Sequence, residues 1–316
     1  MDDTSLTPPT EMPVEAVLRE DLAHGDIVLG TMGPILGHLL AQHDHSLFSD
    51  EVVARVRGMV SHLAQQLDSA LGDKPETQDI AVAHNELISA LSANIHLLVH
   101  CHALAIEAQL ASRLEARSGV DPVLTPLLQA LIASDEPATA ASAMTALAAQ
   151  ARFVQQQRRM ELPLTELPAD LFHFALTTWR SQIDDAGQEA AAAAEQALRG
   201  SFDEGASRIG LLLRLASGMG PGVKAALTIS HAGVAMFLTA LAVASRQERD
   251  LVAISTNESQ LARLALGMRA AGLKASEVEE QFLFLHPDIA LPPGFDLLRS
   301  DRAAGLLAQS GRRVAG

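Results

Sequence analysis

From residue 52 to residue 71 the apolar side chains are Val52, Val53, Val56, Met59, Val60, Leu63, Leu67 and Leu71, recurring mostly at steps of three and four. That spacing lays one face of an α-helix against a core. The same period returns along most of the chain, and apolar/polar alternation is nowhere sustained. A strand with one buried face needs a period of two, so this pattern commits the chain to helices.

The bulk on those faces is aliphatic. Aromatic residues make up 3% of the chain, with Trp179 the single tryptophan and no tyrosine, although 48% of residues are hydrophobic. Leu and Ala favour helices, whereas strands favour β-branched and aromatic residues. The expected fold class is all-α, an N-terminal helical hairpin or bundle followed by an irregular α-solenoid-like C-terminal half. The 316 residues suffice for one large or two medium domains.

Punctuation divides the chain. Residues 1–12 are acidic and proline-bearing and read as a flexible arm. Residues 13–160 read as a helical bundle with a long hairpin, 161–170 (ELPLTELPAD) as a proline-containing linker, 171–310 as a C-terminal helical domain and 311–316 as a flexible tail. In the hairpin, Ser49 and Asp50 offer an N-cap and Gly72 a stop. A single rod is then expected from Asp79 to Arg117, striped by Leu87, Ile88, Leu91, Ile95, Leu98, Val99, Ile106 and Leu110. One helix is expected over Leu171–Arg199. Two more, Gly210–Ala216 and Val223–Ser245, are separated by SGMGPG. A helix from Asn257 closes at Gly272, and Ser276 with Glu279 forms a capping box for a helix ended by Pro287.

Net charge is −15, from 38 acidic and 23 basic residues. Polyanions and anionic membrane faces require basic surfaces, and the densest basic clusters here are QQQRR (155–159) and Arg312–Arg313. Nucleic acid is therefore not an expected partner. The uncharged stretch Ala225–Ser245 is rich in Ala, Ser and Thr and carries His231, so it reads as a helix buried on all sides rather than a membrane span. The N-terminus has no basic start and no apolar run, and a cytoplasmic location is expected. Cys101 is the only cysteine, which excludes an intramolecular disulfide and a cysteine zinc site. It reads as a small buried apolar residue between His100 and His102.

Within His231–Pro287, Phe237 and Leu238 precede an Ala/Leu helix and a short charged turn, and LARLALGMRAAGL closes on Gly272–Leu273. This stretch resembles the uncharacterised bacterial all-helical family called domain of unknown function 2336. The resemblance implies an all-α, repeat-like fold and assigns no functional residue.

Chemistry, if present, centres on the histidines. His96 and His100 are four apart on one predicted helix face, with Glu107 on the same flank. Such a pair can hold a divalent metal when a neighbouring helix completes the set, and Glu107 is the third candidate. His24, His38, His43 and His45 join only if the fold brings them close. HNELISALSANI (84–95) resembles the phospho-acceptor box of two-helix histidine kinase dimerisation domains, with Asn85 where Asp is usual, then Glu86 and Leu91. The resemblance implies His84 as phospho-acceptor. Against it, His84 falls on the apolar stripe, and no ATP-binding domain follows.

SGMGPGVKAA (217–226) lacks the Gly-Lys-Ser/Thr order and the strand of a phosphate loop. There is no GxSxG elbow, and Asp184–Asp185 and Glu279–Glu280 read as solvated. The expected function is thus a non-enzymatic interaction or regulatory protein, an adaptor or signalling component with no cofactor. Its partners would be proteins, including a second copy through the 49–117 hairpin. The alternatives are histidine phosphotransfer through His84 and metal binding through His96 and His100.

Overall fold

A computed structural model describes residues 13–41, 50–72 and 78–314. Ser49, the arm at 1–12 and residues 315–316 lie outside the described residues. Among the described residues there are fourteen α-helices, six 3-10 turns and no strand. The all-α class is as the periodicity requires.

The helices are α1 (Pro13–Ala41), α2 (Asp50–Ser69), α3 (Gln78–Ser92), α4 (Ile95–Ser118), α5 (Pro126–Ile132), α6 (Pro137–Arg158) and α7 (Ala169–Ser181). They continue with α8 (Gln188–Ser201), α9 (Arg208–Gly218), α10 (Ile229–Ser245), α11 (Arg249–Ile254), α12 (Leu261–Ala270), α13 (Ala275–Leu285) and α14 (Ser300–Val314). The last helix runs into the stretch read as a tail from residue 311.

Helix α4 sits at the centre, touching α1, α2, α6, α10 and α11. Nearly every side chain from Leu97 to Glu107 is buried, which is why its apolar stripe is so weakly one-sided. Helix α14 packs on α12 and on α1, so the two ends of the described chain close on each other. A linear stack, in which each unit touches only its neighbours, has no such contact. Leu162, Leu164 and Leu167, in the segment read as a linker, are buried in the same cluster as residues from Val14 to Leu307.

Several expected boundaries are corrected. The rod from Asp79 to Arg117 is two helices, α3 and α4, bent by 86°. Asn94 is extended (φ −87°, ψ 110°), and its side-chain oxygen accepts the Leu97 N–H at 3.0 Å, an N-cap inside the apparent rod. The apolar spacing stays in phase across the break, which hid it; Ile95, read as stripe, is 48% exposed. Helix α2 therefore packs against both α3 and α4.

The helix expected over Leu171–Arg199 is also two. Asp184 accepts the Gly187 N–H at 2.9 Å and starts a new turn before α8. The capping box falls two residues earlier than expected: Glu277, not Glu279, reaches back to the Lys274 N–H at 2.6 Å.

The uncharged stretch 225–245 is broken twice. A 3-10 segment, Gly220–Leu227, meets α10 at 116°. Inside α10, Gly233 takes φ 72° and ψ 169°, and a Cβ there would lie 2.3 Å from the Thr125 methyl. Both the left-handed φ and the close approach demand glycine. Residues Ala232–Ala242 are buried against other helices. Among the described residues no single helix is long and apolar enough to cross a membrane.

Candidate functional site

A groove of about 600 Å³ lies between α1, the start of α12, α13 and the segment that follows α13. Pro287 cannot continue a helix, so residues 286–292 run irregularly and present Ile289 and Leu291 sideways. These two, with Leu261 and Ala262, are only half-buried, and Phe282 and Leu18 lie beneath them. The rim carries Glu20, Asp21 and Glu258, with His24 beside them.

The groove stands on a fixed frame. Gly25 lets α1 approach the turn before α12, because a Cβ there would meet Gln260 Oε1 at 2.7 Å. The Gln260 amide donates to the Gly25 carbonyl at 2.7 Å. One turn on, buried Arg263 donates to Asp26 and to Ser310 Oγ (2.7 Å), and Ser310 Oγ lies 2.7 Å from both Asp26 oxygens. This clamp joins α1, α12 and α14. Its geometry holds the groove walls before any ligand arrives.

Across Glu258 lies a second, smaller cavity of about 220 Å³. Gln109 and Arg113 of α4 form one wall, Asn257 and Glu258 the other, and His286 closes it. His286 is 5% exposed, its ring tilted against Phe282 at 5.7 Å, and its Nε2 has no hydrogen-bond partner among the described residues. Burial first and Arg113 second lower the His286 pKa, with Glu258 and the Thr256 backbone opposing, so the ring is neutral at pH 7. Arg117, a turn beyond Arg113, donates to the Phe284 carbonyl.

A buried ionic cluster occupies the interior. Glu107 accepts two bonds from Arg208 (2.6 and 3.1 Å) and one from Arg249 (2.9 Å). Arg208 also donates to Gln150 (3.2 Å) and stacks 3.5 Å above the Phe153 ring; Arg249 Nε donates to Thr239 Oγ1 (2.9 Å). Burial alone would raise the Glu107 carboxyl, but the two guanidiniums hold it down at about 2. One carboxylate thereby ties α4 to α6, α9, α10 and α11.

The residues singled out by sequence separate. His96 is exposed at the start of α4, whereas His100 is 1% exposed with Nδ1 2.7 Å from Asp250 Oδ2. Glu107 is committed to its arginines. Among the described residues no group of three or more His, Cys, Asp or Glu is placed to hold a metal. His84 shares the α3 face of buried Leu87 and Leu91 but is itself 29% exposed, with its Nδ1 2.6 Å from Asp68 Oδ2 of α2. His24 lines the groove, His38 is exposed, and His43 and His45 lie outside the described residues. Cys101 is fully buried, and burial, with Asp250, pushes its thiol pKa far up, so it is inert. Burial lowers His102 to about 4.

Sequence reasoning missed the groove and the arginine cluster. Arg249 sat in a turn read only as charged, and Arg208 opened an apolar helix. Nothing local pairs them with a glutamate more than a hundred residues away. No protein family, no curated protein and no solved structure matches this chain.

Proposed function

We propose that the chain is a non-enzymatic interaction module whose partner lays a cationic amphipathic helix in the groove between α1, α12 and α13. The observation that carries this reading is the pairing of half-buried apolar residues (Leu261, Ile289, Leu291) with an acidic rim (Glu20, Asp21, Glu258). Apolar anchors at helical spacing would fill the floor, and Lys or Arg would meet the rim. The chain's own first twelve residues carry Asp2, Asp3 and Glu11 and no base, so their charge repels that rim.

The test is fluorescence anisotropy with a labelled Leu/Lys amphipathic peptide. Binding should weaken at least about tenfold in Glu20→Lys/Asp21→Lys and in Leu291→Asp. A control with the same charge change elsewhere, Asp185→Lys/Glu189→Lys, should bind like wild type. Equal weakening by the control, or no binding at all, rejects the groove.

A second reading rests on His84. Its Nδ1 is held by the Asp68 carboxylate while the ring stays partly open to solvent. That arrangement fixes one tautomer and leaves the other nitrogen as the acceptor, which suits a phospho-acceptor. Incubation with phosphorylated response regulators should give acid-labile phosphate on wild type and none on His84→Ala. Its absence from both rejects the role.

A further inference from the structure

We infer that the cavity between α4 and His286 is a binding site for a small carboxylate, received by Arg113. The inference stands apart from the groove reading and concerns a different concavity.

Three observations carry it. Arg113 lines the cavity, yet its guanidinium makes no hydrogen bond or ion pair among the described residues. Its surroundings are unfavourable to charge: desolvation comes first, then repulsion from Arg117, with Glu258 opposing. The Arg113 side chain is nonetheless exposed, so water screens its charge; the polar group left unanswered is His286 Nε2, which lies in the lining of the same cavity, buried and without a hydrogen-bond partner among the described residues. In a chain of net charge −15 Arg113 and Arg117 make a local cationic spot beside the cavity, with Glu258 the acidic side chain in the same lining.

The shape and the lining select the anion. The guanidinium fork matches a carboxylate in bidentate fashion. Glu258 lines the same cavity, so a phosphate dianion would suffer more repulsion than a monocarboxylate. Ile106 and Leu110 supply an apolar wall for the organic part, and Gln109 and Asn257 offer amides. At about 220 Å³ the cavity falls below the roughly 300–1,000 Å³ of sites for drug-sized molecules. It suits either a small free carboxylate or the last residue of a peptide with its terminal carboxylate.

Isothermal titration of the full chain decides the matter. The probes are acetate, propionate and butyrate, an N-acetylated tripeptide as acid and as amide, and inorganic phosphate. Saturable binding of a free carboxylate or of the tripeptide acid is expected, weakened at least about tenfold in Arg113→Gln. The melting temperature of that variant should match wild type, because Arg113 makes no internal bond. Glu258→Gln should change affinity in the opposite direction, tightening it roughly threefold, an effect that loss of packing would not produce. Tighter binding of the tripeptide acid identifies a chain end as the source, and equal or tighter binding of butyrate identifies a free metabolite. The inference is overturned if no acid gives saturable heat, if Arg113→Gln binds like wild type, or if phosphate or the amide binds as tightly as the acids.

Discussion

Glu107 and Arg113 stand on the same helix, less than two turns apart, and are treated in opposite ways. Glu107 lies in the interior, with three charge-assisted bonds from two arginines that are themselves held by Gln150, Phe153 and Thr239. Arg113 lies exposed where α4 leaves the core, beside a cavity and without a hydrogen bond or ion pair among the described residues. The groove beyond Glu258 is likewise open, with apolar side chains half-covered and carboxylates on its rim. The difference separates a frame, in which polar groups are spent on one another, from a surface on which they are left available. Function is expected where the interactions are incomplete.

The strongest way to break this division is to remove the frame's one carboxylate. Glu107→Ala leaves two guanidiniums buried against each other and should cost about 3–5 kcal/mol in urea unfolding. A loss under about 1 kcal/mol would mean that water already reaches the cluster.

Acid should act on the same interior. His102 is 1% exposed, and its pKa falls from 6.5 to about 4 on folding. The unfolded chain then binds the proton first, so this contribution is complete above pH 6.5 and is lost as pH falls towards 4. The loss is about 3 kcal/mol at most. His286 is lowered too and acts in the same direction. Glu107, lowered from 4.5 to about 2, adds a further loss below pH 4.5. Stability measured from pH 7 to 4 should decline in wild type and decline less steeply in His102→Gln.

Smaller effects sharpen the boundary between frame and surface. Asn94→Ala removes the cap that starts α4 and should cost about 1 kcal/mol. Glu20→Lys/Asp21→Lys, on the groove rim, should change stability by no more than about 0.5 kcal/mol. A large loss there would place the rim in the frame.

Periodicity made the helices legible because one buried face repeats along the sequence whatever it packs against. It could not locate Asn94 or Asp184 as breaks, since each cap bonds three residues ahead while the apolar spacing continues in phase. Nor could it distinguish His100, sealed against Asp250, from His96, one turn away and exposed. That distinction depends on which helix arrives on each side of α4. The groove was hidden for the same reason: Leu18, Leu261 and Leu291 come from three distant segments, each ordinary in its own context. His84 does share the α3 face of Leu87 and Leu91 toward α2, but a turn nearer the start of the helix, where it meets the Asp68 carboxylate and stays partly open.

The central claim is that the groove is the surface this molecule offers to a partner and that the Glu107 region is fixed scaffold. Hydrogen–deuterium exchange on the full chain, with and without the amphipathic peptide, tests it directly. Added protection confined to residues 18–25, 258–265 and 282–292, over a slow-exchanging α4 and α10 that do not change, is the predicted result. Protection spread across the acidic surface, or none in those three segments, would contradict it.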